Sequence, residues 1–135
     1  MKDLSTHGIV ALVRDKEGKF LLLEDSREQM RGHWAPPHGR CEPTDISEES
    51  AVIREVKEET GINVVPIKCI LTQAADTKVK TVSFWLVSTD QTDVILDDES
   101  SASGWFAIDE ALELTLYPGT RTFFEKLKSN KIFLS

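Results

Sequence analysis

Cysteine is nearly absent: Cys41 and Cys69 are the only two in 135 residues. Two isolated thiols support neither a disulfide framework nor a cysteine-based zinc site, so both are read as reduced and redox chemistry is set aside. Long apolar runs are missing as well. No stretch approaches the ~20 residues that span a bilayer, and Lys2, Asp3, Ser5, Thr6 and His7 break up any apolar targeting segment near Met1. The expectation is a cytoplasmic protein with no membrane partner. Basic residues are outnumbered, 16 Lys and Arg against 23 Asp and Glu, for a net charge of −7. That balance argues against binding a long nucleic acid, which rests on neutralising phosphates with Lys and Arg. A small polyphosphate remains compatible with it, provided divalent cations screen the two anions from each other. Internal repeats and linkers are also lacking. With 40% hydrophobic and 29% charged residues, the chain reads as one domain, 1–135, large enough for an ordinary core, either monomer or homodimer.

What is present begins with a hairpin. Residues 6–13 are apolar and β-branched, 15–19 are turn-forming, and 20–23 resume the apolar run. Residues 26–32 form a polar surface loop carrying Arg27 and Arg31. A helix is expected over about 46–60, with Asp45 as N-cap and Glu48 three residues on. Ile46, Val52, Ile53 and Val56 would supply its buried face, and Gly61 fits its C′ position. Residues 62–75 and 79–89 read as strands joined by Asp76-Thr77-Lys78. In the second, Val82, Phe84 and Leu86 alternate with Thr81, Ser83, Trp85 and Val87, which suits a central strand covered on both faces. A polar loop over 91–101 leads to a short strand at 105–108, a short helix capped by Asp109 and running through Glu113, and a last helix from Pro118 at N1 through Lys128.

The densest chemical signal is Arg54-Glu55-Val56-Lys57-Glu58-Glu59-Thr60-Gly61-Ile62. Side chains at i, i+3 and i+4 share a helix face, so Glu55, Glu58 and Glu59 converge and repel. Glu48 falls in the same arc with the small Ala51 among them, whereas Ile53, Val56 and Thr60 occupy another. A solvated salt-bridge face would place Lys or Arg four residues after Glu55, where Glu59 stands instead. Oxygen-only ligands of this kind suit a hard cation such as Mg2+ or Mn2+ better than zinc.

Upstream lies Trp34-Ala35-Pro36-Pro37-His38-Gly39-Arg40-Cys41-Glu42-Pro43-Thr44-Asp45. Together with the acidic helix this resembles the signature box of the Nudix hydrolases. Residues 34–39 with Lys80-Thr81-Val82-Ser83-Phe84-Trp85-Leu86 are most similar to the bis-nucleoside-tetraphosphate hydrolase branch. The family places a Glu eight residues before the box Arg, where this chain has Ile46 after a loop longer by one residue, and Asp45 is expected to take its part. The resemblance implies an α/β fold, the Nudix-type α/β/α sandwich with a mixed β-sheet. It also implies metal ligands at Glu55, Glu58, Glu59 and the backbone carbonyl of His38, any of the three carboxylates being a possible base, with Arg54 orienting them. Glu99, six residues before Trp105, is similar to a loop glutamate that adds a ligand or a general base, against the plain reading of Asp97-Asp98-Glu99 as a solvated acidic loop.

Arg27, Arg31, Arg40, Lys78 and Lys80 are candidates to hold the non-reacting phosphates. Trp34, Trp85 and Tyr117 are candidates to stack on a nucleobase; Trp85 suits core packing better, and Tyr117, just before Pro118, is the preferred base contact. The implied activity is Mg2+- or Mn2+-dependent hydrolysis of a phosphoanhydride in a small nucleotide, with a dinucleoside polyphosphate first and a nucleoside triphosphate second. The rival is a non-catalytic nucleotide sensor or scaffold of the same fold.

Overall fold

The computed structural model describes residues 5–75 and 77–134. Lys2 and Asp3, and Asp76 of the expected turn, lie outside the described residues. The hairpin forms as expected from β1 (His7–Arg14) and β2 (Phe20–Asp25). Its turn is held by the Asp15 carboxylate, which accepts from the backbone N–H of Glu17 at 2.9 Å and of Lys19 at 2.8 Å, with Gly18 at φ 80°.

Further strands are β3 (Trp34–Ala35), β4 (His38–Arg40), β5 (Val65–Ala74), β6 (Thr81–Ser88) and β7 (Ser100–Phe106). The sheet runs β3-β2-β1-β6-β5, with β4 pairing β1 and β7 pairing β2. It is mixed: β1 and β6 are parallel from His7↔Thr81 to Arg14↔Ser88, and the remaining pairs are antiparallel. β6 thus lies between two strands, and its alternation sorts its side chains into two cores. Trp85 and Val87 join Ile9, Ala11, Val13, Leu21 and Leu23 beneath helix α1 (Glu48–Thr60), which contributes Ala51, Val52 and Val56. Phe84 and Leu86 join Leu12, Phe20 and Leu22 against α2 (Ile108–Ala111) and α3 (Pro118–Lys128), with Phe84 stacked on Phe123 at 4.7 Å. The result is the expected α/β/α sandwich. Emptying a fully buried position such as Phe124 would cost roughly 3–5 kcal/mol.

Local details depart from expectation. Helix α1 begins at Glu48, not 46, because Ser47 is the N-cap and exchanges side-chain and backbone bonds with Ser50. Asp45 is unavailable as a cap, since its carboxylate binds Arg54 and the backbone N–H of Glu42. Ile46 therefore precedes the helix and is 93% exposed, and Ile53 turns outward at 40%, so neither joins the buried face. β7 starts at Ser100 instead of 105, recruited by the free side of β2 through pairs such as Leu23↔Ser103. Residues 62–64 connect without strand structure, and β3 and β4 are short strands inside the expected loop. Ala107, not Asp109, caps α2, and the Ala107 N–H donates to the Glu110 side chain at 2.9 Å. Gly61 takes the left-handed cap at φ 73°, and α3 starts at Pro118 as anticipated. Among the described residues no helix is long and apolar enough to cross a membrane.

Candidate active site

The last turns of α1 carry the acidic residues, and the fold treats them differently. Glu59 is 8% exposed; it hydrogen-bonds Glu55, and its Oε2 is buried without a hydrogen-bond partner among the described residues. Burial, then the charges of Glu55, Asp97 and Glu99, push its carboxyl up to about 9. Glu55 is raised as well, chiefly by burial, against the pull of Arg54. It presses on the backbone of β4 so closely that a methyl group on Gly39 would collide with its carboxylate. Glu58 is the more open member, its side chain 54% exposed; it meets Glu55 at the shared Arg54 Nη1, and its charge adds to the rise of the Glu55 carboxyl. Among the described residues no three His, Cys, Asp or Glu side chains close on one metal-sized point.

Arg54 organises the set. Its Nε and Nη2 grip both oxygens of Asp45 at 2.9 Å each. Nη1 reaches Glu55 at 3.1 Å, Glu58 at 3.2 Å and Glu42 at 3.3 Å, while Nη2 also donates to the Arg40 carbonyl at 3.2 Å. This fork holds the Asp45 carboxyl below its ordinary range. Asp45 thus ties the loop before α1 to the helix through Arg54.

A buried carboxyl pair with an orphaned oxygen is unfavourable as it stands: a proton must be held between two groups that would otherwise ionise. The donors are all oxygens, at hand for a hard divalent cation that would replace that proton. His38 brings its backbone to the same place, since β4 pairs with β1 at Val10↔His38 and the next residue is the Gly39 that abuts Glu55. Its ring donates from Nδ1 to the Pro36 carbonyl at 2.9 Å and is held toward neutrality, first by burial and then by the charge of Arg27. Glu99 lies on an exposed loop whose charge reaches both Glu59 and His38, so this acidic stretch faces the site. Its backbone carbonyl accepts from Ser26 N–H at 3.0 Å.

The basic candidates separate. Arg31, Arg40, Lys78 and Lys80 are exposed. Arg27 is clamped by Asp25, Nε to Oδ1 at 3.1 Å and Nη2 to Oδ2 at 2.8 Å. The Tyr117 hydroxyl also donates to Asp25, and the Tyr117 ring meets those of His33 and His38 edge-on at 6.2 and 5.4 Å. Trp34 packs on Phe106 at 5.5 Å, and Trp85 donates its Nε1 to Glu48 at 3.1 Å. Asp25 and the His7–Glu48 contact at 3.3 Å were not anticipated. The only sequence sign of Asp25 is its place in the acidic pair Glu24-Asp25 that ends the apolar run Phe20-Leu21-Leu22-Leu23. Cys41 is buried and its thiol is pushed up to about 11 by that burial.

Comparison with known proteins places this geometry in context. A family profile described as the NUDIX domain matches residues 5–127. The chain is 36% identical over 58 residues to the 8-oxo-dGDP phosphatase NUDT18 of Homo sapiens, covering 43% of this chain and 18% of that protein. It spans only 18–31% of the length of the first curated relatives that it matches. Among solved structures, the MutT protein of Methanosarcina mazei superposes with TM-score 0.76 at 30% identity, covering 93% of this chain and 94% of that one. A C. elegans Ap4A hydrolase superposes with TM-score 0.75 at 27% identity, covering 93% and 97%. The likeness spreads over several branches and does not single out the bis-nucleoside-tetraphosphate hydrolases.

Proposed function

This chain belongs to the NUDIX family, and on that premise we propose that it is a divalent-metal-dependent pyrophosphohydrolase acting on a small nucleotide. Water attacks one phosphorus of a nucleoside diphosphate linked to another group, the bond from that phosphorus to the bridging oxygen breaks, and two phosphorylated products leave. The observation that carries this reading is the buried Glu55–Glu59 pair with its unpartnered oxygen, facing Gly39 and the Glu99 loop.

Glu55 and Glu59 would hold Mg2+ or Mn2+, joined by Glu58, the His38 carbonyl and Glu99. The cation supplies charge neutralisation on phosphate oxygens and Lewis-acid activation. The protein's own groups do the rest. Arg54 fixes the carboxylate rotamers from behind, as outer-shell partners do. A carboxylate of the set takes the proton of the attacking water, and Arg27, Arg31, Arg40, Lys78 and Lys80 are the cations available for the non-reacting phosphates.

A dinucleoside polyphosphate is the first-choice substrate, supported by the loop over 34–39 and the likeness to an Ap4A hydrolase. A nucleoside triphosphate is the second, supported by the 27% identity over 113 residues with a CTP pyrophosphohydrolase of Escherichia coli. Product analysis on a nucleotide panel, with Mg2+ and with excess EDTA, tests the proposal. Turnover should vanish with chelator and return with Mg2+ or Mn2+; undiminished turnover in EDTA would overturn it.

A further inference from the structure

The geometry points to Asp25 as the positioning residue for Arg27, with the Tyr117 hydroxyl as a second anchor, so that this arginine is preset to grip a non-reacting phosphate of the substrate. The inference rests on the hydrolase reading above. Asp25 is only 6% exposed, and a carboxylate is not left in such a place without partners. All its bonding capacity is directed at two residues. Oδ1 accepts from the Arg27 backbone N–H at 2.8 Å and from Arg27 Nε at 3.1 Å, and Oδ2 accepts from Arg27 Nη2 at 2.8 Å and from the Tyr117 hydroxyl. Arg27 Nη2 also touches the Tyr117 oxygen at 3.3 Å. The arginine is thus gripped along one edge of its fork, while half of its side chain stays exposed and Nη1 makes no hydrogen bond among the described residues.

The position fits the role. Tyr117 stands edge-on to the His38 ring, and the residue after His38 is the glycine against which Glu55 packs. Ser26, the neighbour of Arg27, binds the backbone of Glu99, whose charge acts on Glu59. The cluster therefore bridges the two acidic arms of the site. None of Arg31, Arg40, Lys78 or Lys80 is held in a comparable fork among the described residues. A planar guanidinium already oriented loses less freedom on binding phosphate than a free side chain does. Stability alone does not explain the arrangement, because a buried ion pair contributes little over a well-packed apolar pair. Tyr117, bonded through its hydroxyl and flanked by two imidazoles, serves as a brace for the Asp25–Arg27 pair.

The test uses steady-state kinetics at saturating Mg2+ on ATP and on diadenosine tetraphosphate, with calorimetric Kd for a non-hydrolysable ATP analogue. Asp25→Asn keeps the shape and one bond but removes the charge. It should raise KM and the analogue Kd roughly 10–100-fold, the scale of a charged hydrogen bond, with kcat within about twofold, as for a contact made equally in ground and transition states. Tyr117→Phe, the safer variant for folding, should raise KM about fivefold. Arg27→Ala should match Asp25→Asn, Arg27→Lys should not rescue, and Asp25→Asn with Arg27→Ala should be no worse than Arg27→Ala alone. Multiplying single effects, or a fall in kcat and Tm with KM and Kd unchanged, would overturn the positioning role. Full turnover in Glu55→Gln would instead overturn the hydrolase site, and the binding arm would still read Asp25 independently.

Discussion

Replacing Glu59 by Gln should make the metal-free protein more stable and the enzyme far less active. In the folded chain this carboxyl is pushed from its ordinary 4.5 up to about 9, first by burial and then by Glu55, Asp97 and Glu99. In the unfolded chain it ionises at its ordinary value. Between those limits folding takes up a proton, so the raised group costs stability as pH climbs from about 4.5 toward 9. At ~1.36 kcal/mol per unit, the penalty at pH 7 is roughly 3 kcal/mol, and at pH 5 under about 1 kcal/mol. Gln fills the same volume, does not ionise, and removes that slope. By thermal melts in EDTA from pH 5 to 8, the variant should gain on the wild type steadily, reaching roughly 10 °C in Tm at neutral pH. Added Mg2+ should stabilise the wild type more as pH rises, and the variant much less. Turnover should drop by roughly 10²–10⁴-fold. Parallel pH profiles for the two proteins would refute the reasoning, because they would mean that Glu59 is not carrying a proton into the fold.

Gly39→Ala should leave the fold intact but displace the Glu55 carboxylate, costing on the order of 10²-fold in kcat/KM; kinetics within a few-fold of wild type would show that this approach does not matter. Arg54→Ala strips the partner from the Asp45 side chain, itself 4% exposed, and should cost about 3 kcal/mol by denaturant melts as well as activity. A loss under about 1 kcal/mol would contradict a buried, unpaired Asp45. Across diadenosine tri-, tetra- and pentaphosphate, kcat/KM should rise with phosphate number and exceed that for ATP and ADP-ribose; the reverse order would remove the first-choice substrate while sparing the hydrolase reading.

The architecture was legible wherever local pattern and tertiary demand agreed. Alternation in β6 announced a strand covered on both faces, and Pro118 and Gly61 marked helix ends through their own backbone limits. It failed where a long-range partner claimed a residue. Asp45 has the chemistry of an N-cap, yet Arg54, nine residues on, takes its carboxylate and leaves the cap to Ser47. Ser100-Ser101-Ala102-Ser103-Gly104 has no strand signature, and its strand exists because β2 has a side to offer. The acidic helix gave away the core of the site, but burial graded it: Glu59 is covered against Glu55, while Glu58 stays open to solvent on the Arg54 that it shares with Glu55. The Asp25–Tyr117 bond joins residues 92 apart, a separation that no spacing rule reaches.

The parallel pairing of β1 with β6 also sets when the protein can fold. His7 meets Thr81 at a sequence separation of 74, and until the chain reaches that far one side of β1 has no neighbour. A chain halted short of Thr81 would leave the β6-facing edge of β1 as a row of free backbone donors and acceptors. Such an edge invites pairing with other copies. High contact order of this kind slows folding, so truncation products should precipitate sooner than an equal mass of intact chain. The acidic pair is completed from still further along the chain: Asp97 and Glu99, whose charges act on Glu59, lie beyond Thr81, so the surroundings of Glu59 are whole only once those residues are in place.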